Sequence, residues 1–128
     1  MIKVLGVFKA LADETRLRIF NLLMERDCCV CEVMEALDIS QTRASRNLQL
    51  LHEAGLLRHW KEGLWSHYGI AESAPLDIAP LVAMVRRALE DDLRSRNDIS
   101  RLAEVVPVEC SSSCGRNGNE NGIGEKRQ

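Results

Sequence analysis

The stretch "CEVMEALDISQTRASRNLQLLHEAG", Cys31 to Gly55, holds two short helical patterns with only "DIS" between them. In the first, Val33, Met34 and Leu37 fall at helical spacing. Ser40 then stands as an N-cap for the second, where Ala44, Leu48 and Leu51 form a narrow apolar stripe. Gly55 falls where a helix C-terminus turns left-handed. Two short helices joined in this way are the signature of a helix-turn-helix.

Working outward, the amino-terminal "MIKVLGVFKAL" puts Ile2, Leu5, Phe8 and Leu11 on one face of a short helix that should end near Ala12. Asp13 is placed to cap the next helix. There Leu17, Ile19, Phe20, Leu22, Leu23 and Met24 cover too wide an arc for a surface helix, so this one should be central. After the helix-turn-helix, "LLRHWKEGLWSHYGIA" reads as two strand-like runs turning at Glu62-Gly63, a β-hairpin. From Leu76 to Arg94 one face carries Leu81, Val82, Val85, Ala88 and Leu89, which predicts a last long helix whose apolar side needs a partner. From Pro107 the composition turns to serine, glycine and asparagine, with Cys110 and Cys114 among them. The expected organisation is a domain over residues 1–106 and a flexible tail over 107–128. The fold class is mainly α with a β-hairpin wing, a winged helix-turn-helix, and a two-fold homodimer is the commonest way to bury the unpartnered face.

The chain has 128 residues, 45% hydrophobic and 28% charged, which suits one soluble domain or an obligate dimer. No apolar run approaches the ~20 residues of a membrane helix, and the start lacks the order of a secretory signal. A cytoplasmic protein with no membrane partner is expected. The net charge of −2 does not suggest wholesale wrapping of nucleic acid, but charge is uneven. Between Arg26 and Asp38 the only base is Arg26, against Asp27, Glu32, Glu35 and Asp38. Between Gln41 and His67, Arg43, Arg46, Arg58 and Lys61 face only Glu53 and Glu62.

The second helix of the motif carries Gln41, Thr42, Arg43, Ser45, Arg46 and Gln49 opposite its apolar stripe. Such side chains form a merely solvated face on many helices. Following Ser40 in a helix-turn-helix, they are expected to contact double-stranded operator DNA, since arginine and glutamine can grip guanine and adenine edges with paired hydrogen bonds. Arg58 and Lys61 of the hairpin are better placed for phosphates, which fix position without reading sequence.

"ALADETRLRIFNLL", Ala10 to Leu23, and "ISQTRASRNLQLLHEAGLL", Ile39 to Leu57, resemble diagnostic segments of the ArsR family of metal-responsive repressors. "CVCEV", Cys29 to Val33, resembles that family's arsenic-binding cysteine box. The resemblance covers roughly residues 5 to 95. It implies a homodimer joined through the first and last helices, with the fourth helix in the major groove. The final helix lacks the paired histidines that zinc- and nickel-sensing relatives place there.

Three of the five cysteines, Cys28, Cys29 and Cys31, lie within four positions. A reducing compartment disfavours a disulfide framework, so burial, metal ligation and redox chemistry are the alternatives. Residues i and i+2 of an extended segment share a side, so Cys29 and Cys31 can converge on one ion, while Cys28 points away unless the backbone bends. A soft three-coordinate inducer, As(III) or Sb(III), suits thiolates without histidine, and no organic cofactor is expected. Met34 stands where the family box often has another cysteine, which leaves Cys28, Cys110 or Cys114 to supply a third thiolate. Thiol-redox sensing is the alternative function. A thiol-disulfide enzyme is disfavoured because no nucleophile-base pair is evident, so a non-enzymatic repressor is expected. An ion that pulls the thiols together should distort the start of the motif's first helix and shift the recognition helix.

Overall fold

The computed structural model describes residues 1–72 and 77–105. The expected tail over 107–128, with Cys110 and Cys114, lies outside the described residues. In chain order the elements are α1 (Ile2–Leu11), α2 (Glu14–Glu25), β1 (Cys28–Cys29), α3 (Val30–Leu37), α4 (Gln41–Glu53), β2 (Leu57–Glu62), β3 (Trp65–Ile70), α5 (Ala79–Leu89) and α6 (Leu93–Glu104).

Asp13 caps α2 by accepting from the backbone N–H of Arg16 at 3.0 Å. The wide apolar arc of α2 makes it the centre of the core: Ile19, Phe20 and Leu22 are fully buried among Val33, Ala36, Ala44, Leu48, Leu51 and Leu56. The turn between α3 and α4 starts at Asp38, in the left-handed region at φ 57°, a conformation an aspartate adopts more readily than bulkier residues. Ser40 accepts from the N–H of Arg43 at 3.1 Å to begin α4, and Gly55, at φ 87°, ends its excursion.

The wing is a three-stranded antiparallel sheet in the order β1-β3-β2 rather than a bare hairpin. Leu57 pairs with Ile70 and Glu62 with Trp65, with Gly63 at φ 64° in the turn. The added strand is the cysteine pair itself, Cys28 opposite Tyr68 and Cys29 opposite His67. Two residues are too few to show an alternating pattern, so only the long-range pairing reveals this strand.

The single last helix expected from Leu76 to Arg94 is instead two helices. Asp92 accepts from both the N–H and the hydroxyl of Ser95 at 2.9 Å, capping a new helix. That turn brings Asp98 of α6 against Arg18 of α2, where two parallel hydrogen bonds of 2.9 Å join guanidinium to carboxylate. The amphipathic α1 lies on the core by one face only. Val7 and Ala10 face inward, while Ile2, Leu5 and Phe8 lie exposed, 85%, 47% and 58% respectively.

Between α4 and the wing, His59 stacks on Tyr68 with centroids 4.5 Å apart and meets the edge of His52 at 5.6 Å. Its Nε2 is buried without a hydrogen-bond partner. Burial, then the neighbouring His52 and Lys61, lowers its pKa below the ordinary 6.5. The folded state therefore binds this proton less readily than the unfolded state does. Stability is unaffected above pH 6.5 and declines as pH falls below it.

Two outcomes are expected. The Asp98 carboxylate is only 4% exposed, so Asp98→Ala, which strands Arg18, should cost about 3 kcal/mol in urea denaturation, and pairing Arg18→Met with Asp98→Leu should recover most of it. A loss no greater than that of an exposed pair would show that α6 does not depend on this contact. Thermal midpoints should fall further between pH 7.5 and 5.5 in the wild type than in His59→Phe, and parallel profiles would exonerate His59.

Candidate nucleic-acid interface and thiol pair

On α4, Thr42, Arg43, Arg46 and Gln49 are exposed and Gln41 and Ser45 half-buried, while Ala44, Leu48 and Leu51 are buried beneath them. The structure thus gathers all six expected DNA-facing side chains of this helix on its outer side. Two of them also have partners in the protein. The guanidinium of Arg43 donates to the Thr15 hydroxyl at 2.8 Å, and Gln49 donates to Glu53 at 3.1 Å.

The helix is held from beneath by the first turn of α2. Arg16 donates from Nε to the Ala10 carbonyl at 2.7 Å, from Nη2 to the Lys9 carbonyl at 3.4 Å and from Nη1 to Oδ1 of Asn47 at 3.2 Å. Asn47, buried in α4, donates in turn to the Arg43 carbonyl at 2.9 Å.

The wing divides its two expected phosphate contacts. Lys61 is exposed near the hairpin turn. Arg58 instead donates from Nη2 to both carboxylate oxygens of Asp27, at 2.9 and 3.0 Å, and from Nε to the Ile70 carbonyl at 3.2 Å. Its guanidinium carbon lies 4.6 Å from the centroid of the Trp60 ring. The pair crosses β3 at Gly69, where a Cβ would collide with the Asp27 carboxylate and the Arg58 guanidinium. His52 contacts the Leu57 carbonyl through Nδ1 at 2.9 Å, and His67 meets Glu62 at 3.1 Å.

The sulfurs of Cys29 and Cys31 are 3.2 Å apart. Convergence arises at a strand-to-helix junction rather than along an extended strand, because the backbone is extended only through Cys29, the N-cap of α3, and helical from Val30. With sulfur bonds of about 2.3 Å, this separation subtends an angle of about 90° at a shared ion, narrower than tetrahedral. Glu32 completes a capping box with Cys29, its carboxylate accepting from the Cys29 N–H at 2.8 Å and from Arg26 at 3.2 Å. Trp65 of β3 packs against Cys29.

Cys28 lies on the opposite side of the strand, in the main core, with its sulfur 3.5 Å from the Arg26 carbonyl. Burial pushes its thiol up to about 12. The structure therefore brings the Cys29 and Cys31 sulfurs together and sets Cys28 apart; Cys28 and Cys29 are free cysteines, whereas Cys31 is in a disulfide in this structure. Among the described residues, no group of three or more histidine, cysteine, aspartate or glutamate side chains is arranged to hold a metal ion.

Sequence reading missed Trp65, Glu32 and the Asp27–Arg58 pair. Of these, only Glu32 left a local signal: "CVCE" has the spacing of a capping box with cysteine in the place of serine. Trp65 and Asp27 meet their partners through the sheet, and no local spacing shows that.

Among the described residues, no helix is long and apolar enough to cross a membrane. The family model described as "Bacterial regulatory protein, arsR family" matches residues 13–59. The arsenical resistance operon repressor of Escherichia coli (strain K12) is 42% identical over 90 residues, which cover 70% of this chain and 77% of that protein. The arsenic resistance transcriptional regulator ArsR1 of Pseudomonas putida (strain KT2440) is 38% identical over 111 residues, covering 82% of this chain and 85% of that protein. Among solved structures, the homodimeric winged helix-turn-helix DNA-binding domain of Mb0332 from Mycobacterium bovis, described as a possible ArsR-family regulator, superposes with a TM-score of 0.60 at 36% identity. That match covers 71% of this chain and 82% of that one. A capped recognition helix, a three-stranded wing and this degree of likeness lead to one conclusion: the chain belongs to the ArsR family of bacterial transcriptional repressors.

Proposed function

We propose that this repressor binds operator DNA as a cytoplasmic homodimer and releases it when As(III) or Sb(III) joins Cys29 to Cys31. The observation that carries this reading is the pair of sulfurs 3.2 Å apart at the head of α3. A narrow two-sulfur bite and a reducing compartment suit a soft, three-coordinate ion. The names of the Escherichia coli and Pseudomonas putida relatives point to the same inducer.

Cys29 has two roles in this scheme. It caps α3, and an ion that takes its sulfur removes that cap. The same ion presses on Trp65, so strain enters α3 and the wing together. Helix α3 shares its apolar face with α4 through Val33, Ala36 and Leu37 against Ala44 and Leu48, so displacement of one moves the other. Cys28 supplies the third thiolate only by leaving the core and parting β1 from Tyr68, which links full coordination to distortion of the wing. Coupling of this kind is typically about 1–3 kcal/mol and is felt equally by both sites.

On DNA, Gln41, Thr42, Arg43, Ser45, Arg46 and Gln49 enter the major groove and Lys61 meets a phosphate, while Arg58 reaches the backbone only by exchanging Asp27 for it. The exposed Ile2, Leu5 and Phe8 of α1, with Leu93 of α6, support burial against a second copy. The closeness of the two sulfurs also favours a second reading, a thiol-redox switch. Peroxide or a disulfide reagent in metal-free buffer should then release DNA reversibly, with loss of two hydrogens within Cys28 to Cys31.

Gel-shift titration with As(III) tests the assignment. Cys29→Ser and Cys31→Ser should keep DNA affinity and lose release. Cys28→Ser should weaken release and also destabilise the fold by about 1–3 kcal/mol, since it buries a hydroxyl in an apolar core. A chain ending at Val106 should still respond; if it does not, the third sulfur belongs to Cys110 or Cys114. If both Cys29→Ser and Cys31→Ser respond normally, the pair is not the sensor.

DNA contacts separate by sequence choice. Arg46→Ala should cost about 1–3 kcal/mol on operator and relax base preference, whereas Lys61→Ala should weaken all duplexes alike and lower the salt slope by about one. Equal losses on operator and random DNA for Arg46→Ala would remove it from the reading set.

A further inference from the structure

We propose that Arg16 and Asn47 are positioning residues that set the distance and angle between the two recognition helices of the dimer, and so determine which half-site spacing the repressor accepts. The inference rests on the homodimer reading above and extends it to operator choice.

Helix α4 lies on the core through Ala44, Leu48 and Leu51. Apolar contacts are non-directional, so such a face resists separation better than it resists sliding or rolling. Directional bonds resist both, and those beneath α4 come from the first turn of α2. The three donor nitrogens of Arg16 address two elements at once. Nε and Nη2 close on the Ala10 and Lys9 carbonyls at the C-terminal end of α1, where helix carbonyls lack intrahelical partners and the dipole attracts a cation. Nη1 closes on Asn47 of α4. The guanidinium is planar and rigid, so fixing its α1 edge fixes the direction of its α4 edge. Asn47 passes the constraint on by donating to the Arg43 carbonyl one helical turn earlier. Thr15, next to Arg16, holds the Arg43 guanidinium from the same turn.

The other face of α1 carries the exposed Ile2, Leu5 and Phe8, the surface assigned above to the second copy. Arg16 therefore bridges the end of the dimer helix to the middle of the reading helix. In a two-fold dimer each such bridge is used twice, once on either side of the axis, and any slack in it doubles across the pair. One added base pair moves the second half-site by about 3.4 Å and about 34°. A dimer with firm bridges rejects that change, and one with loosened bridges tolerates it.

The test uses full-length protein and two-fold duplexes selected from a random library by the wild type, then respaced by one or two base pairs either way. Asn47→Leu keeps the volume and removes both side-chain bonds; Arg16→Gln removes the fork, and Arg16→Lys keeps one donor and the charge. Dimer mass and circular dichroism are recorded for each, so that a misfolded variant is recognised and judgement passes to the others. For Asn47→Leu and Arg16→Gln, affinity for the selected spacing should fall about tenfold while affinity for respaced duplexes changes little, so discrimination narrows about tenfold; Arg16→Lys should recover part of it. Uniform weakening at every spacing, or discrimination equal to wild type in the folded variants, would overturn the inference while leaving the dimer intact. A wild type that selects duplexes without two-fold symmetry, or that is a monomer by mass, would instead overturn the dimer reading, and the inference with it.

Discussion

Helix α3 begins inside the protein, and its first amide groups have to be satisfied there without help from water. Cys29 and Glu32 meet that demand through a capping box, which obliges the protein to bury the Glu32 carboxylate at 4% exposure. The carboxylate in turn needs a cation, and Arg26 supplies it at 3.2 Å while also donating to the Val105 carbonyl after α6 at 3.3 Å. One requirement thus draws together the end of α2, the head of α3 and the end of α6. It also gives the Cys29 sulfur a structural task, capping the helix, whatever else it does.

Elsewhere the same economy of arginines recurs. Aromatic residues make up only 4% of the chain, and planar guanidinium forks carry the long-range ties that large rings supply in other small domains. Arg18 joins α2 to α6, Arg16 joins α1 to α4, and Arg58 joins the approach to β1 to the wing. These ties differ in strength. The Arg18–Asp98 pair is largely buried and is costly to break from one side, whereas Asp27 and Arg58 are 47% and 38% exposed, so water screens their attraction. The stronger tie lies within the scaffold and the weaker one beside β1.

The elements with strong periodicity were legible in the sequence. The arc of Ile19, Phe20 and Leu22, the stripe of Ala44, Leu48 and Leu51, the Ser40 cap and the glycines at 55 and 63 all declare themselves locally, and the helix-turn-helix and hairpin followed from them. What was not legible depends on partners far away in the chain. The β1 strand exists because Cys28 and Cys29 pair with Tyr68 and His67. The break at Asp92 was hidden because both flanking segments are helical, and only the Asp92 cap on Ser95 marks it. Periodicity placed Ile2, Leu5 and Phe8 on one face, but it does not say which body covers that face. At the site, the nearness of Cys29 and Cys31 comes from a strand-to-helix junction rather than the extended segment their spacing suggested, and the cover of Trp65 and the pairing of Arg58 with Asp27 arise only in the folded sheet.

Gly69 gives the Asp27–Arg58 pair its route across β3 by having no side chain there. An alanine or serine at this position displaces the mobile ends of two charged side chains rather than any part of the core. The freed guanidinium exchanges the Asp27 carboxylate for water, so the wing displays a cation that the pair otherwise neutralises. A missing methyl group here regulates how much charge the wing displays.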